Sequence, residues 1–214
     1  WYARRNFLAG YPAFADYAPN GLQVEGRTEI GKIVTGVTAC QALVDAAVDK
    51  GADALLVHHG YFWKGEFPCV TGIKKRRLKA LLDAEINLLA YHLPLDAHPE
   101  LGNNAQLGKM LGLELAGGFG GGAGPDIGQY GRLAQAQSAE AFVNLLSQKL
   151  GRAPLHIAGN DREIRRIAWC TGAAQSYLEQ AAELGVDAFL TGEISEQTVH
   201  IAREQGIHFL SAGH

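Results

Sequence analysis

Apolar positions along the chain fall into short unbroken runs separated by amphipathic stretches of helical period. Lys32 to Thr38 reads as a strand, Gln41 to Lys50 as a helix and Ala52 to Val57 as a second strand. In the helix, Leu43, Ala46, Ala47 and Lys50 form a mostly apolar stripe, and Gly51 stops it. That order is a βαβ unit, which implies parallel strands and a right-handed crossover. Further on, the pattern predicts a short strand at Leu22 to Val24, a helix from Lys74 to Ala84 and a strand from Ile86 to Tyr91. Asn103-Asn104 then caps a helix to about Leu111. Gly117 to Gly124 reads as a flexible connection, since a phosphate-binding loop needs a preceding strand and a following helix. Arg132 to Ala134 reads as strand, Ser138 as an N-cap, Ala139 to Leu150 as helix and Leu155 to Ala158 as strand. Near the end, Ser195 caps a helix that Gly206 closes, and Ile207 to Leu210 is a strand.

The βαβ unit occurs twice. Lys32 to His59 aligns with Arg166 to Glu193 at a constant offset of 134 residues. Gln41 matches Gln175, Gly51 matches Gly185, Asp53-Ala54 matches Asp187-Ala188 and Leu56 matches Leu190. A shared Gly-x-Asp-Ala-hydrophobic run at a fixed distance from a shared Gln argues for two related α/β halves around a mixed or parallel sheet core. The expected domains are a first half over 16–114, a short connection over 115–160 and a second half over 161–214.

Composition narrows the function classes. The 214 residues suit one large domain or two small ones, and 47% hydrophobic residues suffice for a core. A net charge of −3 gives no electrostatic footprint for nucleic acid or an anionic membrane. No apolar run approaches the ~20 residues of a membrane span. Cys40, Cys69 and Cys170 have no metal-type spacing and read as reduced thiols of a cytoplasmic protein. The start at Trp1 and the stop at His214, directly after an apolar run, point to residues beyond one or both ends.

The candidate chemistry lies where strands end. Ala54 to Val57 runs into His58-His59-Gly60, and Ile86 to Tyr91 runs into His92-Leu93-Pro94-Leu95-Asp96-Ala97-His98. Glu193 and His214 follow strands of the second half. Adjacent strand residues point to opposite sides. The two histidines therefore reach one centre only if the chain has turned, for which Gly60 is suited, or else serve different metals of a pair. Imidazoles and carboxylates without thiolates suit zinc, iron, manganese or nickel. A bridging carboxylate such as Asp96 would let two ions share a nucleophilic water. The loop Tyr61-Phe62-Trp63-Lys64-Gly65 lines a pocket for a planar ligand or covers the core, and the basic run Lys74 to Lys79 reads as a solvated helix face. No Gly-x-Ser-x-Gly elbow or Walker loop is present.

These segments, with the turn Asp16-Tyr17-Ala18-Pro19-Asn20-Gly21, Gly102-Asn103-Asn104, Thr191-Gly192-Glu193 and Ser211-Ala212-Gly213-His214, resemble the Nif-three-like family. Its members are also called dinuclear-metal-centre hexameric proteins or GTP cyclohydrolase I type 2 homologues. The resemblance runs from Asp16 onward and is nearest to the short bacterial members. It implies two similar α/β halves, a toroidal homo-hexamer and two divalent metal ions per subunit. By position it implies His58, His59, Asp96 and His214 as ligands; the family's further Glu would stand at 218, past this sequence. His92, His98, Glu193, Asn20 and Tyr61 then fall in the surrounding shell or pocket. The activity implied is a metal-dependent hydrolase acting through metal-bound water on a small molecule such as a nucleotide. The alternative is a non-catalytic metal-binding ring with a regulatory or scaffolding role.

Overall fold

Alternation of side chains along the strands builds a separate core in each half of the chain. A computed structural model describes residues 15–122 and 124–214; apart from Ala15, the irregular opening read at Trp1 to Ala15 lies outside them. Two units result, one of residues up to Leu95 and one of Asp96–His214.

The first unit runs β1 (Gly21–Val24), β2 (Ile33–Thr38), α1 (Gln41–Asp49), β3 (Ala54–His59), α2 (Gly72–Asp83) and β4 (Asn87–Ala90), and the single turn α3 (Leu93–Asp96) follows. Its four-stranded sheet has the order β1-β4-β3-β2, parallel except for β1. Leu55 and Val57 of β3 and Leu88 and Ala90 of β4 point to one face, where they pack with Val44 and Ala47 of α1 and Leu78 and Leu81 of α2. The period of two selects that face.

The second unit runs α4 (Asn103–Met110), β5 (Glu114–Phe119), β6 (Gly128–Gln137), α5 (Ala139–Leu150), β7 (Leu155–Ile157), β8 (Ile164–Cys170), α6 (Leu178–Glu183), β9 (Ala188–Thr191), α7 (Glu196–Gln205) and β10 (His208–Ser211). Six strands pair in the order β5-β6-β8-β9-β10-β7. β8, β9 and β10 are parallel, and the other pairs are antiparallel. Successive residues feed opposite cores. Ala168, Cys170, Phe189 and Phe209 pack with Ala181 of α6 and Ala202 of α7, whereas Ile167, Trp169, Leu190 and Leu210 pack with Phe142 and Leu146 of α5. A sheet covered on both faces needs nearly continuous apolar strands, and β8 and β9 have them.

The repeat is visible as one recurring contact. Asp53 Oδ2 accepts from the backbone N–H of Gly31 and Lys32 at 2.9 and 2.8 Å. Asp187 Oδ2 accepts from Arg165 and Arg166 at 3.0 and 2.8 Å. In both halves this carboxylate, just past a glycine with positive φ, ties the start of one parallel strand to the start of the next. The helices differ, since a 3₁₀ turn at Gln175–Tyr177 precedes the short α6 where α1 is continuous.

Three sequence expectations change. Gly117 and Gly118 belong to β5 rather than to a flexible connection. Tyr130 and Asp126 lie where side chains at those glycines would project, so the missing side chains serve packing. Asn103 and Asn104 do not cap α4, whose N-cap is Gly102. Asn104 is fully buried; its amide donates to Ile127 O at 2.8 Å and accepts from Thr171 N at 2.7 Å. Finally, the strand expected to stop at Val57 continues through both histidines, with Thr38 opposite His59.

Two outcomes are expected. Asn104→Ala strands two backbone groups and should cost about 2–4 kcal/mol in denaturant unfolding; a loss below about 1 kcal/mol, on the order of a single exposed bond, would contradict this reading. In the second unit, His156 Nε2 lies 3.0 Å from His208 Nδ1, and burial, then the charge of His208, holds the His156 ring below its usual value. A depressed folded pKa means that the unfolded chain binds the proton first. Stability should be full above the unfolded value of about 6.5 and fall as the pH drops below it. Urea midpoints at neutral and mildly acidic pH should differ less in His156→Asn than in the parent.

Candidate metal centre

β3 and β4 are neighbouring parallel strands, so their carboxyl ends lie side by side and deliver His58, His59 and His92 to one place. Each offers a potential ligand nitrogen, and these atoms all lie within 4.8 Å of one another. The His58 and His59 rings are 4.6 Å apart, and His92 lies 5.1 and 5.6 Å from them. No turn between the two histidines is required, because both sit on the last two positions of the strand. Gly60 has a different task from the one expected. Its φ is not positive, and Gln23 Oε1 and Ala90 Cβ occupy the space a side chain would need. Gln23 uses that approach to accept from Tyr61 N at 2.7 Å and donate to Tyr61 O at 3.1 Å.

Each imidazole is held by its Nδ1. His58 Nδ1 donates to the carbonyl of Tyr91 at 2.8 Å, because a carbonyl can only accept. His92 Nδ1 donates to Asp16 Oδ1 at 2.7 Å. His59 Nδ1 lies 3.0 Å from Thr38 Oγ1. A neutral imidazole whose Nδ1 carries the proton has its lone pair on Nε2, and such an outer bond is the usual support of a metal-binding histidine. The residues therefore fit a divalent ion: three imidazoles, two of them with the tautomer set by a partner that can only accept. Bonds of about 2.0–2.1 Å to one ion need nitrogens within about 4 Å of each other, so the three rings would need a small inward shift to hold a single ion together.

Asp16 anchors the arrangement; the sequence marked its segment as turn chemistry and as part of the family resemblance, but gave Asp16 itself no role at the site. Its carboxylate also accepts from Asn20 Nδ2 at 2.8 Å and from Leu93 N at 3.1 Å, while Asn20 Oδ1 accepts from His92 N at 2.8 Å. Burial alone would raise the Asp16 pKa; the bonds from His92 and Asn20 outweigh it and hold the group below the usual carboxylate value. Thr38 was likewise not singled out. The available signals were an acid four residues before Asn20 and the repeat position of Thr38 at the end of β2.

Asp96, His98, Glu193 and His214 belong to the second unit. Asp96 is buried and accepts from Asn103 Nδ2 at 2.7 Å. It faces the Cys170 thiol, which burial first and then this carboxylate push up to about 12. His98 Nδ1 accepts from Glu100 N and Leu101 N at 3.2 and 3.1 Å, which closes a turn. His214 Nδ1 lies 2.7 Å from Glu193 Oε1, so these two candidates form a pair. Tyr61 is buried in the first unit, and burial raises its hydroxyl pKa to about 12.

A mixed α/β sheet that gathers three imidazoles at the ends of its parallel strands defines a class of fold with a group that could hold a metal ion. The particular family follows from comparison. The profile of the DUF34/NIF3 (NGG1p interacting factor 3) family matches residues 6–214, and the chain belongs to that family. A Pseudomonas aeruginosa protein named GTP cyclohydrolase 1 type 2 homolog is 59% identical over 199 residues, which is 93% of this chain and 79% of that protein. A solved structure described as protein ybgI, of unknown function, superposes with a TM-score of 0.89 at 54% identity, covering 94% of this chain and 80% of that one. TTHA1606 from Thermus thermophilus gives a TM-score of 0.81 at 35% identity, covering 94% of this chain and 78% of that one.

Replacing Asp16 with Asn removes the charge that holds His92 Nδ1 while keeping the volume. Metal affinity should fall about 10- to 100-fold, as for loss of a ligand's outer partner. A competitive titration against a chromophoric chelator reads it; unchanged affinity would separate Asp16 from the centre.

Proposed function

We propose that this protein is a metal-dependent hydrolase with two divalent ions per subunit, acting on a small molecule of the nucleotide class within a homo-hexamer. The observation that carries the reading is the set of three imidazoles with anchored Nδ1 atoms at adjacent strand ends. His58, His59 and His92 supply nitrogen donors. The family resemblance adds Asp96 and His214, and the name of the Pseudomonas aeruginosa relative supports the cyclohydrolase class. Divalent ions bound there would supply Lewis-acid activation of water and of the substrate. The chain's own part is to orient. Asp16, Tyr91 O and Thr38 fix the rings, and Asn20 fixes the backbone at His92. Trp63 packs its ring 5.0 Å from that of His92 and 5.9 Å from that of His59, on one side of the cluster.

Among the described residues no helix is long and apolar enough to cross a membrane. Elemental analysis of the full-length protein after reconstitution should find about two transition-metal ions per subunit. His58→Ala and Asp96→Ala should each lower that number and abolish turnover across a panel of nucleotides, phosphoesters and amides. Absence of metal would sink the reading. Full metal content with no turnover on any of the panel would favour the non-catalytic ring.

A further inference from the structure

Strand β2 is an edge of the first unit's sheet: in the order β1-β4-β3-β2, one side of it has no neighbour among the described residues. Its backbone divides by parity. Lys32 O accepts from Ala54 N, so the residues in step with it, Val34 and Gly36, turn their N–H and C=O groups to β3. Those of Ile33, Thr35 and Val37 therefore face the free edge. The same residues carry uncovered side chains: Ile33 is 58% and Val37 62% exposed, and Thr35 between them is exposed as well. Natural sheets protect such an edge with a proline, a bulge, a charge or a covering element. Ile33–Thr38 contains no proline and no charge. The lysine before it, Lys32, is tied back to Lys50 O at 2.8 Å. Helix α1 covers only the other face, where Leu43 packs against Gly36.

This edge is complementary to itself. A two-fold axis perpendicular to the sheet lays it against a second copy as an antiparallel pair and keeps each face on its own side. Opposite residues must then share parity, and free-edge groups must meet free-edge groups. The register centred on Thr35 satisfies both conditions. Ile33 stands opposite Val37 of the other copy, Thr35 stands opposite Thr35, and each pair exchanges its N–H···O bonds. Apolar side chains meet across the axis, and Lys32 falls opposite the uncharged Thr38, so no like charges confront each other there. Strands about 4.8 Å apart put the two α1 helices, each lying over β2 and β3, about 10 Å apart, which is helix-packing distance. Ala42 and Ala46, beside Leu43 on the helix, are small enough for that approach. We propose that β2 is a self-recognition edge: a second copy of this chain pairs with it antiparallel about Thr35 and joins two four-stranded sheets into one. The proposal rests on the homo-oligomer of the reading above, not on its metal chemistry, and gives that assembly its two-fold contact.

The test is the mass of the full chain by light scattering at micromolar concentration. Thr35→Pro removes an N–H that faces the free edge and leaves the bonds to β3 in place. Val37→Lys sets an ammonium group opposite Ile33 of the other copy. Each should weaken association about 10- to 100-fold and so halve the mass, a hexamer falling to trimers or a dimer to monomers. Thr35→Cys, combined with Cys40→Ser and Cys69→Ser, should form a disulfide between two chains under mild oxidation, because position 35 lies on the axis. Thermal melts confirm that each variant folds; if Thr35→Pro does not, Val37→Lys decides. A monomeric parent, an unchanged mass in folded Val37→Lys, or no cross-link through position 35 would overturn the assignment. Halving of the mass in a protein that takes up no metal would keep the contact and remove the hydrolase reading. Metal uptake and turnover with an unchanged mass would do the reverse.

Discussion

The short bond between Asp16 and His92 is the constraint on which the candidate centre depends. A histidine at the end of a strand has two free torsions and two possible neutral tautomers, and a metal needs one of each. The buried Asp16 carboxylate selects both for His92, and it also takes Asn20 Nδ2 and Leu93 N. The result is a loop bound to the end of β4 by side chain and backbone together. The same economy recurs at His58, where the Tyr91 carbonyl does the selecting, while at His59 the Thr38 hydroxyl of the adjacent strand holds the ring without fixing its tautomer. Rings held in this way lose little freedom on binding an ion, which is the physical content of preorganisation.

The sheet makes these anchors available. Parallel pairing of β2, β3 and β4 sets three carboxyl ends in a row, so Thr38, His58, His59 and Tyr91 arrive together without any long loop. Asp53 fixes the opposite ends of β2 and β3 through two backbone bonds. Asp187 repeats that bond in the second unit. The shared geometry of the two halves is thus a backbone device. Their strand ends carry different chemistry: paired imidazoles in one, a Glu193–His214 pair in the other.

Two neighbouring side chains, Tyr61 and Arg77, each enclose a polar atom that makes no hydrogen bond among the described residues. Helix α2 carries Lys74, Lys75, Arg76, Arg77 and Lys79, and an exposed cation on such a helix stays in water without cost. Arg77 instead is part-buried beside the aromatic loop, with its Nε enclosed.

Much of this was legible in the chain itself. Periods of two and of 3.6 gave the βαβ units, the fixed offset gave the repeat, and His58-His59 after an apolar run pointed to the candidate centre, because local patterning dictates elements and their ends. Ser138 as a cap and Gly206 as a stop followed from the same local chemistry. What patterning could not give is which distant groups meet. Asp16 is 76 residues from His92, and Asn104 is 67 from Thr171. Asn103-Asn104 looked like a cap, and Gly117 and Gly118 like a hinge, because a sequence shows a residue's preferences but not the neighbour that outbids them. Only the tertiary structure decided that Asn104 would satisfy buried backbone, that Gly60 would make room for Gln23, and that three imidazoles would meet with a separate anchor for each.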